Sequence, residues 1–337
     1  MILKNKLTAL LVLMVVFTAC HRNPLKINVS NININLPVNR LDLDLASVTP
    51  QNVQIAVPVF QKKFGAFFEV YNKEVLAIGS SRDSLYNNYL LTFLKDSVFI
   101  NASRMSDSVY RNFDPYVSQL KKAFKHYRYY YPKQAIPGIY TYISGYNQSV
   151  VTVNDAIGIG LDNYLGHDCP YYRRLGIFEY KRRNMEPAKM VYDVMYGWAF
   201  QKYEYKGNSE NLVSNMIYQG KLLYFVDAMI PEGPDTLKIG FTNTQLEWCK
   251  SHEPEMWSFL IEHKSLFSGD HMEIVRFINS APFTTPFGQK SPGRAGVWIG
   301  WQIVKNYMKK NPGIKLRDLM EDNDYHRILN ESGYAPL

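Results

Sequence analysis

PAKMVYDVMYGWAFQKY, residues 187–203, decides how the rest of the chain is read. Its apolar residues Met190, Val191, Val194, Met195, Trp198 and Ala199 recur with the period of an α-helix. Tyr192, Tyr196, Phe200 and Tyr203 carry that apolar surface around a second side. Pro187 opens the segment, where its missing N–H costs nothing. A helix that is apolar nearly all round belongs in a core. One carboxylate, Asp193, sits inside it, and the nearest cations, Lys189 and Lys202, lie toward its ends. Burying that charge alone costs several kcal/mol or more, so the reading demands a partner from elsewhere in the fold.

Working outward, the preceding stretch changes period. Residues 139–143, 149–153 and 156–161 alternate as three short strands, with turns at Gly145-Tyr146-Asn147 and Asn154-Asp155. They predict a small antiparallel meander. Upstream, residues 27–45 alternate in two phases, Ile32, Ile34 and Leu36 and then Leu41, Leu43 and Leu45, and read as one or two strands around Pro37. Helical patterns fill residues 59–78, with an aromatic face at Phe60, Phe64, Phe67 and Tyr71, then 83–95, then 107–131.

Downstream the chain is helical. Ser209 is placed to cap a segment ending at Ile230, again apolar nearly all round. The last long helix is expected over 292–310, where Gly293, Gly296 and Gly300 permit close backbone approach beside Trp298 and Trp301. The fold class is therefore α+β, mostly helical with a small antiparallel sheet.

The 337 residues, with a formal charge of +8 spread along them, suit a solvated surface better than a nucleic-acid interface. Lys121–Arg128 and Lys181–Arg183 are the densest basic stretches and read as helix or loop surface. With 25 Tyr and 18 Phe, core and clefts will be lined by rings. Residues 1–19 form a signal peptide: Lys4 and Lys6, an apolar run from Leu7 to Phe17, then Thr18-Ala19. Phe17-Thr18-Ala19-Cys20 resembles a bacterial lipobox, which implies cleavage before Cys20 and lipid attachment to it. Residues 20–26 would then be anchor and tether, and 27–337 one globular domain. Such a chain is a membrane-anchored envelope protein, and the absence of acidic residues after Cys20 leans toward the periplasmic side.

Beyond the lipobox, Gly160-Leu161-Asp162-Asn163-Tyr164-Leu165-Gly166, the central helix, Met216-Ile217-Tyr218-Gln219-Gly220-Lys221 and the glycine-and-tryptophan run Pro292–Val304 together resemble the gliding-motility lipoprotein B (GldB) family of Bacteroidota. That resemblance implies a part in the envelope apparatus of gliding, with other envelope proteins as partners. The order of elements also resembles a gluzincin metallopeptidase, whose buried helix carries His-Glu-x-x-His. Here Tyr192, Asp193 and Tyr196 stand at those places and Gln219 near the third ligand, and the motif itself is absent. Phenols and an amide are poor zinc ligands. The expectation is a zincin-like scaffold without metal or other cofactor and without catalytic residues, its cleft lined by Tyr192, Asp193, Tyr196, Gln219, Lys221 and Arg294 and suited to a peptide or glycan. The competing readings are structural, with Asp193 paired to Arg294 or Lys221, and enzymatic, an atypical peptidase recruiting metal through His167 or His271. His252-Glu253-Pro254-Glu255-Met256 lacks the second histidine and reads as a surface turn.

Overall fold

The computed structural model describes residues 23–206 and 210–336. Its sheet has the order β1-β2-β4-β3, from Val38–Arg40 (β1), Gly138–Tyr142 (β2), Val150–Val153 (β3) and Ala156–Gly160 (β4). The expected hairpin is present: β3 and β4 pair antiparallel across a tight turn in which Asn154 takes φ 49°. The expected meander is not. β2 pairs with β4, and in parallel, with Ile139 opposite Ile157 and Tyr142 opposite Gly160. Residues 143–155 are long enough for the return that a parallel pair requires, and they leave β3 at the edge. β1 adds a second parallel pair to the other side of β2, so the sheet is mixed.

Most of residues 27–45 is not strand either. Leu41–Ala46 is a short helix, in which Leu41 and Leu45, four apart, are buried while Leu43 is exposed. A spacing of two and a spacing of four both fit Leu41 and Leu45; only the exposure of Leu43 separates them.

One face of the sheet is covered by α1 (Val53–Val70), which is bent at Gly65, where φ is 53°. Its expected aromatic face is buried, and Phe67 stacks on Tyr140 with ring centroids 4.3 Å apart. The pattern read as one helix over 107–131 is two, Ser97–Tyr110 and then α2 (Asp114–Tyr130), because Pro115 favours a helix start. The other face of the sheet carries α3 (Met190–Lys202), which packs against β3 and β4.

Behind α3 lies the largest helix pair, α4 (Leu212–Met229) and α5 (Ala295–Lys310). Nearly every side of α4 is buried. Asn211 caps it by accepting from the Ser214 N–H at 3.0 Å, two residues later than Ser209, which lies outside the described residues. A Cβ on Gly300 would collide with the Met216 backbone and one on Gly220 with the Gly300 carbonyl, so the two helices touch main chain to main chain. The short helix α6 (Tyr325–Ser332) packs on both. No helix among the described residues is long and apolar enough to cross a membrane.

Candidate functional site

Asp193 finds its cation within its own helix start. The Lys189 ammonium lies 2.7 Å from Oδ1, and the Tyr164 hydroxyl donates to Oδ2 at 3.0 Å. The partner is therefore neither Arg294 nor Lys221. A residue four positions earlier projects onto the same helix face, and the 3₁₀ turn Pro187–Lys189 aims Lys189 inward, where its side chain is only 8% exposed. Asp193 itself is 31% exposed, so one edge of the pair reaches solvent. Tyr164 is fully buried in the loop after β4; burial and the neighbouring carboxylate push its phenol well above the usual range.

One turn along α3, the Tyr196 hydroxyl donates to Oε1 of Gln219 on α4. Burial raises the Tyr196 phenol, Arg294 draws it down and Asp193 raises it again, which places all three within electrostatic reach. Arg294 precedes α5 in the left-handed conformation, at φ 65°, and its guanidinium donates to the Ile239 carbonyl at 3.3 Å.

Two sequence candidates lie elsewhere. Gln219 and Lys221 are two residues apart on a helix, about 200° around its axis, so they cannot share one face. Lys221 is buried, donates to the Asp322 carbonyl, and stands 5.3 Å from the Tyr325 ring centroid. Desolvation lowers its ammonium to about 8. Tyr192 lies against Gly233, close to Lys238. Phe200, read as part of the apolar surface, is exposed.

A second charged centre was not singled out in the sequence. Asp227, on α4, meets the Lys238 ammonium at 2.7 Å and the Trp301 indole N–H at 2.7 Å, while Lys305 stands 3.9 Å away. Lys238 and Asp227 are 4% and 6% exposed. Burial raises the Asp227 carboxyl, and Lys305 and Lys238 oppose it. This centre lines a groove of about 1320 Å³ with Asn23–Leu25 at its edge. The signal was present: Asp227 is a lone carboxylate in a helix apolar nearly all round, the same pattern that drew attention to Asp193.

A third carboxylate, Asp162, is fully buried and accepts from the Ser144 and Tyr146 N–H groups and the Ser144 hydroxyl. Gly145 and Tyr146 both take φ 69°, so the loop folds its donors around this side chain. Burial outweighs those donors and pushes the carboxyl up to about 6.

Exposed His167 is flanked by Glu186 at 2.6 Å and Asp168 at 3.0 Å. Neighbouring Cys169 is buried and free, as is Cys249. His252 stacks on Trp248 and Pro254 lies in the first turn of the helix Glu253–Glu262, so the zinc-motif lookalike is a helix junction. Among the described residues no three His, Cys, Asp or Glu side chains form a group that could hold a metal ion.

The fold and these centres define a mostly helical α+β protein in which Asp193, Asp227 and Asp162 are each met by ammonium, phenol, indole, hydroxyl or backbone donors. Its family follows from comparison with known proteins. The chain belongs to the gliding motility protein GldB family, whose model matches residues 22–336. No curated protein and no solved structure matches it.

Proposed function

We propose that the protein is a lipid-anchored, envelope-facing component of the gliding machinery that works by binding and not by catalysis. In this reading residues 1–19 are removed, Cys20 carries the lipid, residues 27–337 act as one folding unit, and the body lies on the periplasmic side. Family membership supports the link to gliding. Its partners are other machinery proteins, and Asp193, Tyr196, Gln219 and Arg294 form the recognition cleft.

The observation that carries the binding reading is the pairing at the places where a zincin-like scaffold would grip its ion. Asp193 is engaged by Lys189 and Tyr164, and Tyr196 by Gln219. A phenol–amide pair beside a solvent-touching ion pair presents donors, acceptors and a ring face, which suits a peptide or glycan. Elemental analysis of the purified protein tests this: a stoichiometric zinc content overturns it in favour of an atypical metallopeptidase. Deletion of the gene is expected to abolish spreading on surfaces, and Cys20→Ala to release the protein from the membrane fraction; unchanged gliding in the deletion removes the motility role.

A further inference from the structure

The chain from Asn23 to Ser30 is strapped to the body. The Asn23 amide donates to the Pro231 carbonyl at 3.3 Å, Leu25 packs against the core, Val29 is buried, and the Lys125 ammonium donates to the Ser30 carbonyl at 3.3 Å. Lys26 on the strap and Lys122 on α2 both reach Glu232, at 3.2 Å and 2.5 Å. Only three residue steps separate Asn23 from Cys20, which span at most about 10 Å. A lipid on Cys20 therefore fixes which face of the protein meets the bilayer.

That face is built unlike an ordinary solvated surface. Beside the strap lies a cavity of about 610 Å³ lined by Lys26, Lys121, Lys122 and Lys125, with Glu232 as its one acid. The lysines of α2 fall on one side because 121, 122 and 125 are spaced by three and four. His126 also lines it, almost wholly buried, and its Nδ1 has no hydrogen-bond partner among the described residues. Across the strap, Tyr129 is half exposed and packs edge-on to Tyr130, and exposed phenols are enriched at headgroup layers.

We propose that this face rests on the anchoring bilayer and that the Lys26–Lys121–Lys122–Lys125 cavity receives the phosphate-bearing headgroup of an anionic lipid. The proposal rests on lipidation of Cys20. Charge complementarity supplies the attraction, because ammonium groups held close to an anionic leaflet gain from its potential, and a tether this short keeps them there. The consequence is a body held in one orientation on the membrane, with the strap underneath.

The test uses the full-length protein, matured in its host, purified in detergent and reconstituted into vesicles. Lysine acetylation read by mass spectrometry compares detergent, phosphatidylcholine vesicles, and phosphatidylcholine vesicles containing phosphatidylglycerol. Lys121 and Lys125 are expected to react severalfold more slowly only in the last. Lys250 and Lys264, which line neither cavity, should react alike in all three. The doubly substituted Lys121→Gln/Lys125→Gln protein, checked as folded by circular dichroism, should lose the phosphatidylglycerol-dependent protection of Lys26. Equal labelling in every medium overturns the proposal. So does equal protection in both vesicles, which is contact without headgroup recognition, or protection by inorganic phosphate in detergent. The mass of the N-terminal peptide separates the two claims: a terminus without acyl chains sinks the anchor reading too, whereas an acylated terminus with unprotected lysines sinks only this one.

Discussion

Asp193 and Asp227 pose the same sequence problem and receive different solutions. Each is a lone carboxylate in a helix that is apolar nearly all round. Asp227 is almost sealed in at the wall of its groove: an ammonium and an indole N–H meet its two oxygens, and Asp227 and Lys238 are almost wholly removed from water, while Lys305, 3.9 Å away, stays partly exposed. Asp193 keeps nearly a third of its side chain exposed and is met by a lysine one turn away on the same backbone segment. The difference is positional. α4 is buried on nearly every side among other helices, whereas α3 lies under the edge strand β3. The first acid holds elements together; in the proposed binding role the second, whose edge reaches solvent, is the one that meets a ligand.

The sharpest break in that comparison is removal of the sealed acid. Asp227→Ala leaves the buried Lys238 ammonium with only the half-exposed Asp235 carboxylate, 3.4 Å away, which is expected to cost about 3 kcal/mol. Denaturant unfolding checks it; a cost below about 1 kcal/mol would mean that solvent reaches the pair and that the contrast with Asp193 is false.

Asp162 asks whether burial alone sets the outcome, since its donors are backbone and hydroxyl groups and no lysine is near enough to pair with it. Burial pushes its folded carboxyl up to about 6, from an ordinary aspartate value of about 3.9. Between those values the folded protein holds a proton that the unfolded chain has released, so stability falls as pH rises through that window and is level above it. The full span corresponds to at most about 3 kcal/mol. Asp162→Asn should flatten that portion of the stability–pH curve. A wild-type curve that instead rises from pH 4 to 6 relative to the variant would show the donors outweighing desolvation.

Trp301→Phe removes the indole N–H from Asp227 while keeping a ring, at an expected cost of about 1–3 kcal/mol. Combined with Asp227→Ala the two costs should fall short of their sum, because both remove the same hydrogen bond.

How far these centres could be read in advance follows from what determines them. Most of the longer helices and the close approach at Gly300 were legible because period and residue size are local properties; the break between Ser97–Tyr110 and α2 and the short helix Leu41–Ala46 were not. The parallel pairing of β2 with β4 was not, since a hairpin and a parallel return share the same alternation and only the body of the fold chooses. Among site residues, the Tyr196–Gln219–Arg294 grouping followed from helix order. Lys221 did not join it because its side of α4 faces α6. Lys189 was discounted as a helix-end cation, although its spacing of four from Asp193 is the pairing register of a helix. Asp227 carried the same signal as Asp193, and Lys238, distant in sequence from the α3 pattern, carried none.

The smallest expected effect on stability tests the other half of the comparison. Asp193→Asn keeps one oxygen, enough to accept from Tyr164 or from Lys189 but not from both, and the pair already touches solvent, so about 1 kcal/mol should be lost. If the acid serves recognition, gliding should fail in a strain carrying this variant at normal protein levels, while Lys189→Met, which removes the cation and leaves the carboxylate, should shift ligand preference without abolishing it. Gliding at wild-type speed with Asp193→Asn would make Asp193 a second, weaker Asp227, a structural acid with an exposed edge. The distinction is measurable because the two outcomes differ in function and not in folding: a sheet-edge acid that costs little to neutralise is retained for what it touches outside the chain, or it has no role beyond its pair.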